Sequence, residues 1–148
     1  MKLTQAALRL LDSSVGIESE QEEVVDNAIP LAGRVAAGIP IEAIEDTEKI
    51  SLKGQFGTGD DVFALEVVGD SMIEEDIQNG DYVICRRAET ADDGGLVVAV
   101  VDEDTATLKR FHKEKSRVRL QPANENYEPI YTDNCKIQAV AIGLVRKF

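Results

Sequence analysis

Residues 94–113 read GGLVVAVVDEDTATLKRFHK. Two glycines open the stretch, six apolar residues run from Leu96 to Val101, and three acidic residues stop them at Asp102, Glu103 and Asp104. A short apolar, β-branched run bounded by turn formers predicts a strand buried on both faces. TATLKRFHK (105–113) follows directly, as the second strand of a hairpin does. The flanking segments extend the pattern. DVFALEVV (61–68) is rich in β-branched residues, and DYVICRR (81–87) follows the turn-forming pair Asn79-Gly80. RVRLQ (117–121) alternates polar and apolar side chains, and KIQAVAIGLVRKF (136–148) is a further apolar strand. Many short strands with Gly- and Asp-rich turns predict a mainly β domain, sandwich or barrel-like, from about residue 30 to residue 148.

Upstream the composition changes. LTQAALRLL (3–11) has apolar side chains at 3, 7 and 11 and again at 6 and 10, a spacing that suits one or two helical turns. DSSVGIESEQEEVVDNA (12–28) is acidic, rich in Ser and Glu and free of aromatics, which is linker composition. The expected organisation is an N-terminal arm and linker over 1–28 and one folded domain over 29–148.

At 148 residues, 43% hydrophobic and 30% charged, the chain is long enough to bury a core as a globular domain. No window approaches eighteen uninterrupted apolar residues, and MKLTQAALRLLDSS makes a poor signal peptide, so no membrane contact and a cytoplasmic location are expected. Cys85 and Cys135 form no C-x-x-C motif, and His112 is the one histidine, too few ligands for a zinc site. No metal or cofactor is expected, and both thiols are read as reduced and mostly buried. The net charge of −12 is uneven. Residues 1–104 hold 7 basic and 24 acidic side chains, whereas residues 105–148 hold 9 basic and 4 acidic. DNA binding depends on neutralising phosphates with Lys and Arg, so this chain is not expected to hold DNA alone. The basic end either offsets the acidic surface or faces a partner.

In ALEVVGDSMI (64–73) an apolar run turns sharply at Gly69, Asp70 and Ser71. Such a corner either reverses the chain or presents a hydroxyl as a nucleophile. A nucleophilic Ser71 needs a base. Side chains alternate along a strand, so Lys109 shares a face with Phe111, while His112 shares the other with Leu108 and Arg110. If Phe111 faces the core, Lys109 is carried inward and His112 lies nearer solvent. A lysine held against apolar neighbours loses hydration of its ammonium, its pKa falls, and its neutral amine can take a serine proton. On the residues alone Lys109 can equally be a snorkelling surface lysine.

VAAGIP (35–40), VVGDSM (67–72), NGDYVI (79–84) and TLKRF (107–111) occur in this order. Together they resemble the LexA/UmuD family of self-cleaving proteins, the peptidase half of SOS-type repressors with an S24-type Ser-Lys domain, across about residues 29–148. The resemblance implies a LexA/signal-peptidase-like β domain in which Ser71 is the nucleophile and Lys109 the general base. It implies an oxyanion hole built from the main-chain N–H groups of Asp70 and Ser71, and a target in the chain's own Ala37–Gly38 bond. Val35, Ala36, Ala37 and Gly38 are small enough for a narrow cleft, and Gly33 and Gly38 let the backbone bend into it. The partners it implies are a second copy of the chain and the RecA filament on single-stranded DNA, which stimulates cleavage. Twenty-eight residues cannot contain a winged helix-turn-helix domain, so DNA would be met only through a domain absent from this chain. The alternative is a UmuD-like accessory subunit of a translesion polymerase, although the Ala-Gly pair and the longer acidic arm look more like the repressor. KIQAVAIGLVRKF is apolar enough to be an exposed sheet edge, expected to pair in a symmetric homodimer.

Overall fold

The computed structural model describes residues 28–31, 33, 34, 37, 44, 45, 48–57 and 59–148. Residues 60–148 form one compact unit, and the described residues from 28 to 59 belong to another. The helical reading of 3–11 and the linker reading of 12–27 lie outside the described residues.

In the unit that ends at Gly59, β1 (Ile29–Pro30) pairs antiparallel with β4 (Lys49–Ile50), and β2 (Gly33–Arg34) with β3 (Ile44–Glu45). A short helix follows, α1 (Leu52–Phe56). Its N-cap Ser51 accepts a hydrogen bond from the Gly54 N–H at 3.0 Å, satisfying one of the donors a helix start leaves open.

The unit from Asp60 onward is built on one antiparallel sheet of seven strands. They are β5 (Val62–Glu66), β6 (Tyr82–Arg87), β7 (Leu96–Val101), β8 (Thr105–Lys113), β9 (Val118–Gln121), β10 (Ile130–Thr132) and β11 (Cys135–Val145). The spatial order is β10-β9-β8-β7-β11-β6-β5. The mainly β expectation therefore holds, and the hairpin of residues 94–113 forms as β7 and β8. Asp102 and Glu103 turn it, both in the left-handed region at φ 52° and 70°, which matches the right-handed twist of flanking strands.

Both faces of β7 are buried, which explains its unbroken apolar run. Val98 joins Leu65, Val67, Met72, Val83, Cys85, Ala106, Leu108 and Ala139 in one cluster. Its neighbours Val97, Ala99 and Val101 point the other way, into a second cluster with Phe111, Leu120 and Ile137. Cys85 is fully enclosed and Cys135 half-buried; both are free thiols, and burial pushes Cys85 up to about 12.

One expectation fails. The strand read from KIQAVAIGLVRKF is not a sheet edge: β11 lies between β6 and β7 and pairs with both. Its apolar length reflects a central position with two ladders to satisfy, and bulges between Ile137 and Ala139 and between Ala141 and Gly143 adjust its register. The edges of this sheet are β5 and β10.

Candidate active site

The chain leaves β5 through Val67 and turns at Gly69, whose φ of 98° lies in the region that favours glycine. The Gly69 N–H donates to Asn79 Oδ1 at 2.8 Å, so the Asn79-Gly80 turn braces the corner. Val67 N–H donates to the Asp81 carbonyl at 2.8 Å, and Gly80 N–H to the Val67 carbonyl at 2.8 Å, zipping the two sides of the loop together. Met72 drops into the first cluster with 1% of its surface exposed. A 3-10 turn over Ile73–Glu75 follows, and Asp76 leaves it at φ 58°. Between corner and anchor lie Asp70 and Ser71, the latter 2% exposed.

Lys109 comes from β8, opposite Val97 of β7. It is 4% exposed, and its Nζ lies 2.8 Å from Ser71 Oγ, 2.7 Å from Thr107 Oγ1 and 3.1 Å from the Leu108 carbonyl oxygen. Burial penalises the ammonium and lowers the Lys109 pKa from its ordinary value. Nζ donates to Ser71 Oγ, Thr107 Oγ1 and the Leu108 carbonyl oxygen, so three oxygen partners converge on one amine. Sequence alternation thus placed Lys109 correctly, inward with Phe111. His112 is half-buried opposite Arg119, on the face of β8 away from Lys109.

Other features of the site were not foreseen. Thr107, two residues before Lys109 on the same face of β8, holds the amine. The loop Pro122–Tyr127 grips the turn: Ala123 N–H donates to the Ser71 carbonyl at 2.8 Å, and Tyr127 Oη donates to Asp70 Oδ1 at 2.6 Å. Asp81, 2% exposed, takes a fork from Arg146, with Nε to Oδ1 at 2.8 Å and Nη2 to Oδ2 at 2.7 Å. The guanidinium holds the Asp81 carboxyl below the usual carboxylate range, and Arg146 also reaches the Asp76 carbonyl at 2.7 Å. The end of β11 is thereby tied to the loop that follows Ser71. A Thr two residues before a Lys was a readable signal; the Asp81–Arg146 pair, 65 residues apart, was not.

Ala37 is exposed and sits in a bend, while Gly38 lies outside the described residues. Among the described residues no three His, Cys, Asp or Glu side chains are grouped to hold a metal ion, and no helix is long and apolar enough to cross a membrane.

Comparison with known proteins gives the same direction. Residues 30–142 match the family described as Peptidase S24-like. The LexA repressor of Geobacillus thermodenitrificans (strain NG80-2) is 46% identical over 142 residues, covering 95% of this chain and 68% of the relative. That of Halalkalibacterium halodurans is 44% identical over 141 residues, with 95% and 68% covered. That of Staphylococcus aureus (strain N315) is 42% identical over 144 residues, with 95% and 69% covered. These relatives favour a repressor over the polymerase-subunit alternative. With a serine peptidase family matched along most of its length and repressors as its relatives, this chain belongs to the Peptidase S24-like family as a LexA-like SOS repressor.

Proposed function

We propose that Ser71 and Lys109 form a dyad that cuts this chain's own Ala37–Gly38 bond, with residues 29–148 acting as the peptidase and dimerisation piece. The supporting observation is the 2.8 Å contact between Lys109 Nζ and Ser71 Oγ, both buried. Neutral Lys109 takes the Ser71 proton while Oγ attacks the Ala37 carbonyl carbon. The carbonyl oxygen becomes an oxyanion facing the N–H groups of Asp70 and Ser71, donors that need no reorganisation when the charge develops. Collapse breaks the Ala37–Gly38 bond, Lys109 returns its proton to the Gly38 amine, and an ester joins Ala37 to Ser71. Water, deprotonated by Lys109, then releases the Ala37 carboxylate and restores the serine.

A RecA filament on single-stranded DNA would stimulate the reaction by binding the conformation with the Ala37–Gly38 segment in the cleft better than the open one. In an intact repressor the cut parts the DNA-binding heads from the dimerising body. Two linked heads bind an operator far better than two free ones, so repression collapses. Incubating the purified chain at mildly alkaline pH should give two products, residues 1–37 and 38–148, by intact mass spectrometry. Any other junction removes the assignment.

The body acts as a homodimer. Tyr82 and Leu144, near the end of the β6–β11 pair, and Phe148 just beyond it are all exposed. Apolar side chains of this size at one end of a sheet suit a symmetric contact. Sedimentation at micromolar concentration should give about twice the 16.2 kDa chain mass. A monomer at every concentration would exclude this arrangement.

A further inference from the structure

The peptide unit that joins Asp70 to Ser71 is held from outside its own turn. Asn124 Nδ2 donates to the Asp70 carbonyl oxygen at 3.0 Å, and Asn124 is only 8% exposed. The same oxygen accepts the turn's own bond from the Ile73 N–H at 3.2 Å. Asn124 is itself fixed: its Oδ1 accepts the Asn126 N–H at 2.9 Å, and its carbonyl accepts the Tyr127 N–H at 3.0 Å. Next to it, Ala123 donates to the Ser71 carbonyl at 2.8 Å and accepts from the Glu74 N–H at 2.8 Å. The strand-to-strand loop after β9 therefore straps the serine turn on both sides of Ser71.

A trans peptide is planar, so its C=O and N–H point in opposite directions, and no cis peptide bond occurs among the described residues. Pinning the Asp70 oxygen fixes the heading of the Ser71 N–H. We propose that Asn124 is a positioning residue for self-cleavage, aiming the Ser71 N–H at the place where the tetrahedral oxyanion forms. This rests on the reading of Ser71 as nucleophile and its N–H as an oxyanion donor. The donor works only if it is oriented before charge develops. Asn124 touches no reacting atom. Its effect passes through one peptide plane.

The test is the pH profile of alkaline self-cleavage by the full chain. Asn124→Ala removes the donor without adding charge, and Asn124→Asp removes it while keeping the acceptor for the Asn126 N–H. Both should lower the plateau rate roughly 10-fold, less than the 10²–10³ of deleting an oxyanion donor outright, because the Ile73 bond remains. In Asn124→Ala the midpoint should stay where the wild type has it, since Lys109 sets it. Tyr127→Phe, which frees only the Asp70 side chain, should remain within about threefold of wild type, as the peptide plane keeps its bonds. A wild-type plateau in Asn124→Ala, or a loss explained wholly by a shifted midpoint, overturns the proposal. Ser71→Ala and Lys109→Ala run alongside: if Ser71→Ala still cleaves, or Lys109→Ala loses less than about 10²-fold, the dyad reading fails instead. Should the Asn124 variants melt at assay temperature, an NMR coupling across the hydrogen bond from Asn124 Nδ2 to the Asp70 carbonyl carbon, sought in uncut Ser71→Ala protein, decides. Its absence overturns the proposal.

Discussion

Ser71→Ala should abolish self-cleavage at every pH, and Lys109→Ala should lower it by about 10²–10⁴-fold, the usual contribution of a general base. His112→Ala should leave both rate and profile unchanged. Without any partner, wild-type cleavage should accelerate as pH rises through the folded pKa of Lys109. The sign follows from the lone pair. The ammonium has none to offer the Ser71 proton, and alkali creates one. Burial lowers this pKa from the ordinary 10.5, so the midpoint falls below that value. Rates from intact mass spectrometry across the alkaline range measure it. The outcome that excludes the dyad is loss of cleavage in His112→Ala together with its survival in Lys109→Ala.

Met72→Ala should cost about 2–5 kcal/mol of folding stability, the range for emptying a large buried side chain. Met72 is among the most enclosed side chains of the first cluster, packed with Leu65, Val67, Val83, Val98 and Leu108. Met72→Leu keeps most of the volume and should cost less than about 1.5 kcal/mol. Urea melts of uncut protein, carried out in a Ser71→Ala background, read both values at constant slope. A loss below about 1 kcal/mol for Met72→Ala would mean that the anchor beside the serine is not part of the core.

The β architecture was legible because burial leaves a pattern on each strand. The run from Leu96 to Val101 shows its double coverage directly, and TATLKRFHK matches β8 residue for residue. Lys109 was legible through Phe111, since residues two apart on a strand share a face. What escaped has a common cause. The position of β11 depends on pairing with residues 34 to 63 positions earlier, and an apolar strand looks alike at an edge or a centre. Asn124 and Arg146 act through hydrogen bonds to residues 54 and 65 positions away, and such contacts leave no local periodicity. The helix α1 is five residues long, below the length at which helical spacing becomes readable.

The place of β11 has a consequence for the order of events during synthesis. β6 and β7 pair with β11 and not with each other, so the serine-bearing half of the sheet and the lysine-bearing half share no ladder until β11 arrives. β11 leaves the ribosome after the other six strands, and it closes contacts of long sequence separation, which form slowly. In a growing polypeptide the strand before Ser71 and the strand that carries Lys109 therefore stand on separate ladders, joined into one sheet only when β11 is added.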